Sequence, residues 1–155
     1  MKYKGILNKR RECLNGTLPY YCLQWSRKET VFTGEKIVAP QRALYPCFAY
    51  SNEPFYASAD VYFITKMKEN PFFLLGYLNS SFADFYLRNV GKKKGDYLEL
   101  YQRPLSEIPI ITMSDQSKSK IAQIAKKLSE IKTPYDYSEI EGYKQEINGI
   151  IWQEL

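Results

Sequence analysis

The spacing of apolar positions divides the chain into three stretches with different rhythms. Residues 1–19 have no regular period. Lys9-Arg10-Arg11, Asn15-Gly16-Thr17 and Pro19 are turn formers, and irregular structure is predicted there. From Tyr20 the chain breaks into short strand-like runs. Tyr20-Tyr21-Cys22-Leu23-Gln24-Trp25 is rich in strand formers, and Thr33-Gly34 reads as a turn. Lys36-Ile37-Val38-Ala39 is a short apolar run closed by Pro40. Cys47-Phe48-Ala49-Tyr50 is a second run, ended by the loop Ser51-Asn52-Glu53-Pro54. Asp60-Val61-Tyr62-Phe63-Ile64-Thr65, β-branched and aromatic, is the clearest strand.

A helical period takes over at Asn70, a good N-cap, with Pro71 suited to the first helical position. Phe72, Leu74, Leu75, Leu78, Phe82, Phe85 and Tyr86 form a wide stripe, predicting one deeply packed helix ending near Asn89. Gly91-Lys92-Lys93-Lys94-Gly95 reads as a glycine-bounded loop. Tyr97-Leu98-Glu99-Leu100-Tyr101 alternates like a strand, and Pro104 and Pro109 bracket a turn. In the tail, Ile121, Ile124, Ala125, Leu128 and Ile131 mark one amphipathic helix. Beyond Pro134, a capping box at Ser138 and Glu141 opens another, carrying Ile140, Tyr143, Ile147, Ile150 and Ile151. The fold class expected is α+β: a twisted, mainly antiparallel sheet region with a packed helix, followed by a C-terminal helical hairpin. The division expected is 1–112 and 113–155, the hairpin packing on the first part or against a partner domain.

Composition narrows the function. Of 155 residues, 45% are apolar and 15% aromatic, which excludes intrinsic disorder. No apolar run reaches membrane-spanning length and no signal peptide is evident, so the cytoplasm is expected. Histidine is absent, which removes His-based triads, His general bases and His metal ligands. Cys13, Cys22 and Cys47 lack zinc-site or disulfide-framework spacing and read as reduced, mostly buried thiols. The net charge is +5, and the excess lies in residues 1–50, where 9 Lys and Arg stand against 3 acids. Clustered cations among aromatics and amides suit a polyanion.

Candidate chemistry is sparse. Asn70-Pro71-Phe72-Phe73 shares letters with the Asn-Pro-Pro-Tyr/Phe box of amino-methyltransferases. The second proline and a preceding glycine-rich loop are missing, and a helix cap explains the pair. Asp115 with Glu130-Ile131-Lys132 has the letters of a metal-dependent nuclease, but these residues fall on the wet face of a predicted helix. Lys92, Lys93 and Lys94 could clamp a phosphate backbone, although the P-loop spacing is absent. Gln41 and Arg42 follow a strand end, and their side chains suit adenine and guanine respectively. Arg27, Lys28 and Lys9-Arg10-Arg11 suit phosphate contacts. Each of these cations could equally be solvated surface.

The ordered series is more specific than any one motif. Tyr20 to Arg27, Lys36-Ile37-Val38-Ala39-Pro40-Gln41-Arg42, Phe48-Ala49-Tyr50 and Asp60 to Ile64 come first. Leu74-Leu75-Gly76-Tyr77-Leu78-Asn79-Ser80, Gly91 to Gly95, Leu98 to Tyr101 and Pro104 to Ile110 follow. Over about residues 8–112 this resembles the TaqI-like C-terminal specificity domain. That is the target-recognition domain following the catalytic domain of γ-type adenine-N6 DNA methyltransferases, including fused type IIG restriction–modification enzymes. The resemblance implies a module that grips double-stranded DNA opposite an N-terminal methyltransferase domain while the partner flips out the adenine. The family's catalytic domain is missing, so an excised or free-standing piece that catalyses nothing is expected. S-adenosylmethionine, and magnesium where a nuclease accompanies the parent, would belong to the absent domains. By this similarity the loops after Pro40 and around Lys92 to Lys94 face DNA, and the family pattern does not fix the base contacts. From the residue chemistry, Arg27, Lys28, Lys92, Lys93 and Lys94 are expected to anchor phosphates and Gln41 and Arg42 to read bases. The rival readings are a subunit-assembly domain with no base reading, and an enzyme.

Overall fold

Strand β1 (Lys36–Pro40) is the pivot of the structure, a computed structural model that describes residues 2–23, 26–131 and 136–155. Its alternation sends Ile37 and Ala39 fully into the core. Antiparallel neighbours flank it on both sides: β3 (Ala49–Ser51) and β4 (Val61–Ile64), with Ile37 opposite both Tyr50 and Ile64. Lys36 is also internal, and its ammonium donates to the carbonyls of Gly34 (2.8 Å) and Glu53 (2.6 Å). One cation of the basic first third therefore holds a loop instead of facing solvent. Pro40, with no N–H to donate, ends the strand.

At Gln41 the chain passes from this sheet to a second one. The Gln41 N–H donates to Asp60 O (2.7 Å) and its carbonyl accepts from Leu100 N (2.9 Å). The second sheet has the order β2-β6-β5, from β2 (Arg42–Ala43), β6 (Tyr97–Glu99) and β5 (Lys93–Lys94), all antiparallel. The lysine run expected as a loop is thus half of a β-hairpin. Lys93 lies opposite Leu98 and Lys94 opposite Tyr97, leaving Gly95-Asp96 as the turn. Gly95 takes φ +61°, which a two-residue hairpin turn requires and which glycine adopts without strain.

Other expectations are corrected. Residues 1–19 contain two single helical turns, α1 (Lys4–Leu7) and α2 (Arg11–Leu14). Tyr20 to Leu23 form a turn and not a strand, because the Arg10 guanidinium takes the carbonyls of Tyr20 (3.0 Å) and Cys22 (2.9 Å). Gln24 and Trp25 lie outside the described residues. One further helical turn, α3 (Thr30–Thr33), precedes β1. The turn expected between Pro104 and Pro109 contains the short helix α6 (Gln102–Ser106).

The helix predicted from Asn70 to Asn89 is two helices. In α4 (Pro71–Leu78) the Asn70 side chain accepts from the N–H groups of Phe72 and Phe73, as a cap should. Asn79 then leaves the helix to clasp the Phe48 backbone, accepting from its N–H (2.9 Å) and donating to its carbonyl (3.0 Å). Ser80 restarts the chain as the N-cap of α5 (Ser81–Asn89). The apolar stripe runs across this break because α4 is buried on nearly every side. Tyr77, fully buried, fixes the 109–111 segment by donating to Pro109 O (2.8 Å) and accepting from Ile111 N (3.2 Å).

The tail forms α7 (Asp115–Glu130) and α8 (Tyr137–Gln153). The α8 cap is Asp136, which accepts from the N–H groups of Ser138 and Glu139, in place of the expected Ser138–Glu141 box. Ile121, Ile124, Ala125, Ile147 and Ile151 join the same apolar cluster as Ile37, Phe73 and Leu100. The hairpin is closed by Glu154, whose carboxylate accepts from the hydroxyls of Ser114 (3.0 Å) and Ser117. It is tied to α5 by Asn148 on the Ser81 N–H (2.8 Å) and by the Trp152 indole on the Ser81 hydroxyl (2.9 Å). No helix among the described residues is long and apolar enough to cross a membrane.

Candidate nucleic-acid interface

Residues 42 and 92 to 94 are fifty positions apart in sequence and neighbours in space. Pairing of β2 with β6 puts Arg42 opposite Glu99, and the hairpin then brings Lys92 back, its carbonyl accepting from the Glu99 N–H (2.8 Å). Arg88 on α5 steadies this end, bonding Asp84 at 2.8 Å and the Leu44 carbonyl at 2.7 Å.

A buried carboxylate lies at the centre. Glu99 is 5% exposed; its Oε1 is 3.6 Å from Arg42 Nε and its Oε2 is 3.3 Å from Lys92 Nζ. The Tyr101 hydroxyl donates to Glu99 Oε1 (3.2 Å) and accepts from Arg42 Nη2 (3.1 Å). Burial alone would push this carboxyl up. Lys92, then the Tyr101 hydroxyl and the Arg42 charge, override burial and hold it below the usual carboxylate range. One anion thus organises two cations, of which Lys92 remains largely open to solvent and Arg42 partly so. Lys93 and Lys94 make no ion pair among the described residues, so the cluster stays cationic.

The other expected residues divide. Gln41 lies at the sheet junction, half-buried, its backbone spent on both sheets and its side-chain amide without a hydrogen bond among the described residues. Arg27 reaches the same end: it donates to Val61 O (3.1 Å), the register partner of Pro40, and lies over the Phe63 ring at 5.4 Å. Lys28 is exposed, and no contact ties it to the cluster among the described residues. Arg10 is spent on backbone carbonyls and is not free for phosphate. Glu99 and Tyr101 were not foreseen. The one signal was an acid at the centre of an alternating strand, with no neighbour in sequence to neutralise it.

The weaker motifs take structural roles. The Asn70 amide oxygen is occupied as a helix cap. Asp115 and Glu130 sit at opposite ends of α7, about 22 Å apart at 1.5 Å per residue, and cannot share one metal. Lys132 lies outside the described residues. No group of three or more potential ligands could hold a metal ion among the described residues. The three cysteines are free and half-buried, more open than expected.

The model of the TaqI-like C-terminal specificity domain matches residues 7–110. The chain is 36% identical over 112 residues to the type II methyltransferase M.MjaIV of Methanocaldococcus jannaschii. That match takes in 71% of this chain and 37% of the relative, so the chain spans well under half of its length. With the family model covering two sheets, α4, α5 and the lysine hairpin, the chain belongs to the TaqI-like C-terminal specificity domain family.

Proposed function

We propose that this chain is a sequence-selective binder of double-stranded DNA. It would be the target-recognition part of an adenine-N6-specific DNA methyltransferase of the type IIG restriction–modification kind. The carrying observation is the β2–β6–β5 sheet, which gathers Arg42 and the three lysines at the end where Arg27 and Gln41 also lie. Arg27, Lys28 and Lys92 to Lys94 would neutralise phosphates, while Gln41 and Arg42 read base edges. The methyltransferase domain of the parent protein would bind S-adenosylmethionine and perform the chemistry. This chain would serve the cytoplasmic enzyme by selecting the site.

A binding titration over salt tests the reading. The full chain should bind mixed-sequence duplex DNA at roughly 10⁻⁴–10⁻⁶ M near physiological salt. Changing Lys92, Lys93 and Lys94 together to Ala should lower the slope of log affinity against log salt by about 2–3, at about 0.9 per phosphate. An unchanged slope refutes the assignment. A second reading, subunit assembly, draws on the exposed Tyr3, Ile6, Leu14, Tyr21 and Leu23 of the N-terminal segment. DNA binding unchanged by the lysine substitutions, with association to the methyltransferase domain lost on Leu14→Asp and Leu23→Asp, would favour it.

A further inference from the structure

Resting on that reading, we infer that Glu99 is a positioning residue for sequence choice. Together with the Tyr101 hydroxyl it occupies one edge of the Arg42 guanidinium and leaves the other edge to pair with a guanine in the major groove.

The guanidinium carries five N–H groups in one plane. Nε–H and one Nη2–H lie along the same edge. That edge is taken: Nε is 3.6 Å from Glu99 Oε1, and Nη2 donates to the Tyr101 hydroxyl at 3.1 Å. The outer edge, formed by Nη1 and the second Nη2 hydrogen, makes no hydrogen bond among the described residues. Its two parallel donors match the O6 and N7 acceptors of guanine. A free arginine on a strand end samples many rotamers, and ordering it on binding opposes association. Here strand pairing fixes Arg42 and Glu99 opposite each other, and the carboxylate restrains the side chain beforehand.

Burial makes this arrangement directional. The Glu99 side chain is 5% exposed and that of Arg42 42% exposed, so DNA can reach the arginine and not the acid. The negative charge should also weaken attraction to phosphates in general. Glu99 thus opposes non-specific binding while favouring the specific complex, and a scaffold residue without this role would affect both alike.

The experiment uses the full chain and two probes: a duplex selected from a randomised pool by the wild-type chain, and its scrambled counterpart. In the selected duplex, replacing one particular guanine by 7-deazaguanine, which lacks N7, should weaken wild-type binding by about fivefold or more. Glu99→Gln should bind the scrambled duplex as well as wild type or better. It should lose about five- to tenfold on the selected duplex, and the 7-deazaguanine penalty should shrink. Tyr101→Phe, which keeps the ring and removes the hydroxyl, should show the same split and serves as the readout if Glu99→Gln fails to fold. Parallel losses on both duplexes, or a 7-deazaguanine penalty unchanged in these variants, overturn the assignment of Glu99. If the wild-type chain enriches no sequence, the DNA-reading function itself falls, and this inference with it.

Discussion

Gly76 offers a direct test of whether the helical hairpin is an integral part of the fold. A Cβ at this position would stand 2.8 Å from Ile121 Cγ2, 3.2 Å from Ala125 Cβ and 3.4 Å from Ile147 Cδ1. Favourable carbon contacts are about 3.5–4.0 Å, so the first is a clash, the second is tight and the third is ordinary contact. Ala125 is fixed by its helix, and Ile121 is fully buried, with the clashing Cγ2 bonded directly to its Cβ. Overpacking of this kind costs about 1–3 kcal/mol, while Ala in place of Gly in a helix gains about 1 kcal/mol. Gly76→Ala should therefore be destabilising by up to about 2 kcal/mol, lowering the Tm by up to roughly 4–8 °C for a chain of this size. Gly142 and Gly149, on α8, have nothing within 4 Å of an added Cβ. The same substitution there should gain up to about 1 kcal/mol. Calorimetry and urea unfolding of the three variants read the contrast. Removing the clash with Ile121→Ala in the Gly76→Ala background should give a combined loss smaller than the sum of the single losses. If Gly76→Ala stabilises as Gly142→Ala does, α7 and α8 are not seated on α4 in solution, and the shared core described above is wrong.

Two further outcomes follow from local bonding. Asn79→Ala removes the clasp on the Phe48 backbone and should cost about 1–2 kcal/mol, seen as a lower urea midpoint at an unchanged slope. Glu154 is held below its ordinary carboxylate value of 4.5 by the Ser117 hydroxyl first and the Ser114 hydroxyl next. Its contribution is therefore present above about pH 4.5 and lost as the pH falls through the lower folded value. Glu154→Gln should be less stable than wild type at neutral pH, and the gap should close in acid; a gap of constant size would refute the linkage.

Local order was legible wherever one residue's environment decided the outcome. Asn70 and Pro71 announced a helix start, and the β-branched run at 61–64 could only be a strand. The apolar periods of α7 and α8 were equally plain. The break at Asn79 was hidden because apolar residues continue on both sides of it, and its cause is a partner, Phe48, thirty-one residues away. The lysine strand was unreadable as a strand, since three like charges carry no apolar alternation. It forms because β6 offers Leu98 and Tyr97 opposite. The aromatic run from Tyr20 misled for the converse reason: it has strand composition, but Arg10 occupies its carbonyls. Of the interface, the individual cations could be named, whereas their assembly around Glu99 depends on strand pairing across more than fifty residues.

The peptide group of Gln41 is gripped on both flanks, by Asp60 and by Leu100, and its side chain bears none of that burden. Position 41 is thus a socket: its frame is set by main-chain bonds any amino acid except proline can make. If position 41 reads bases as proposed, exchanging its side chain should retune which duplexes are preferred without remodelling the scaffold, and the junction would be a natural place to diversify recognition.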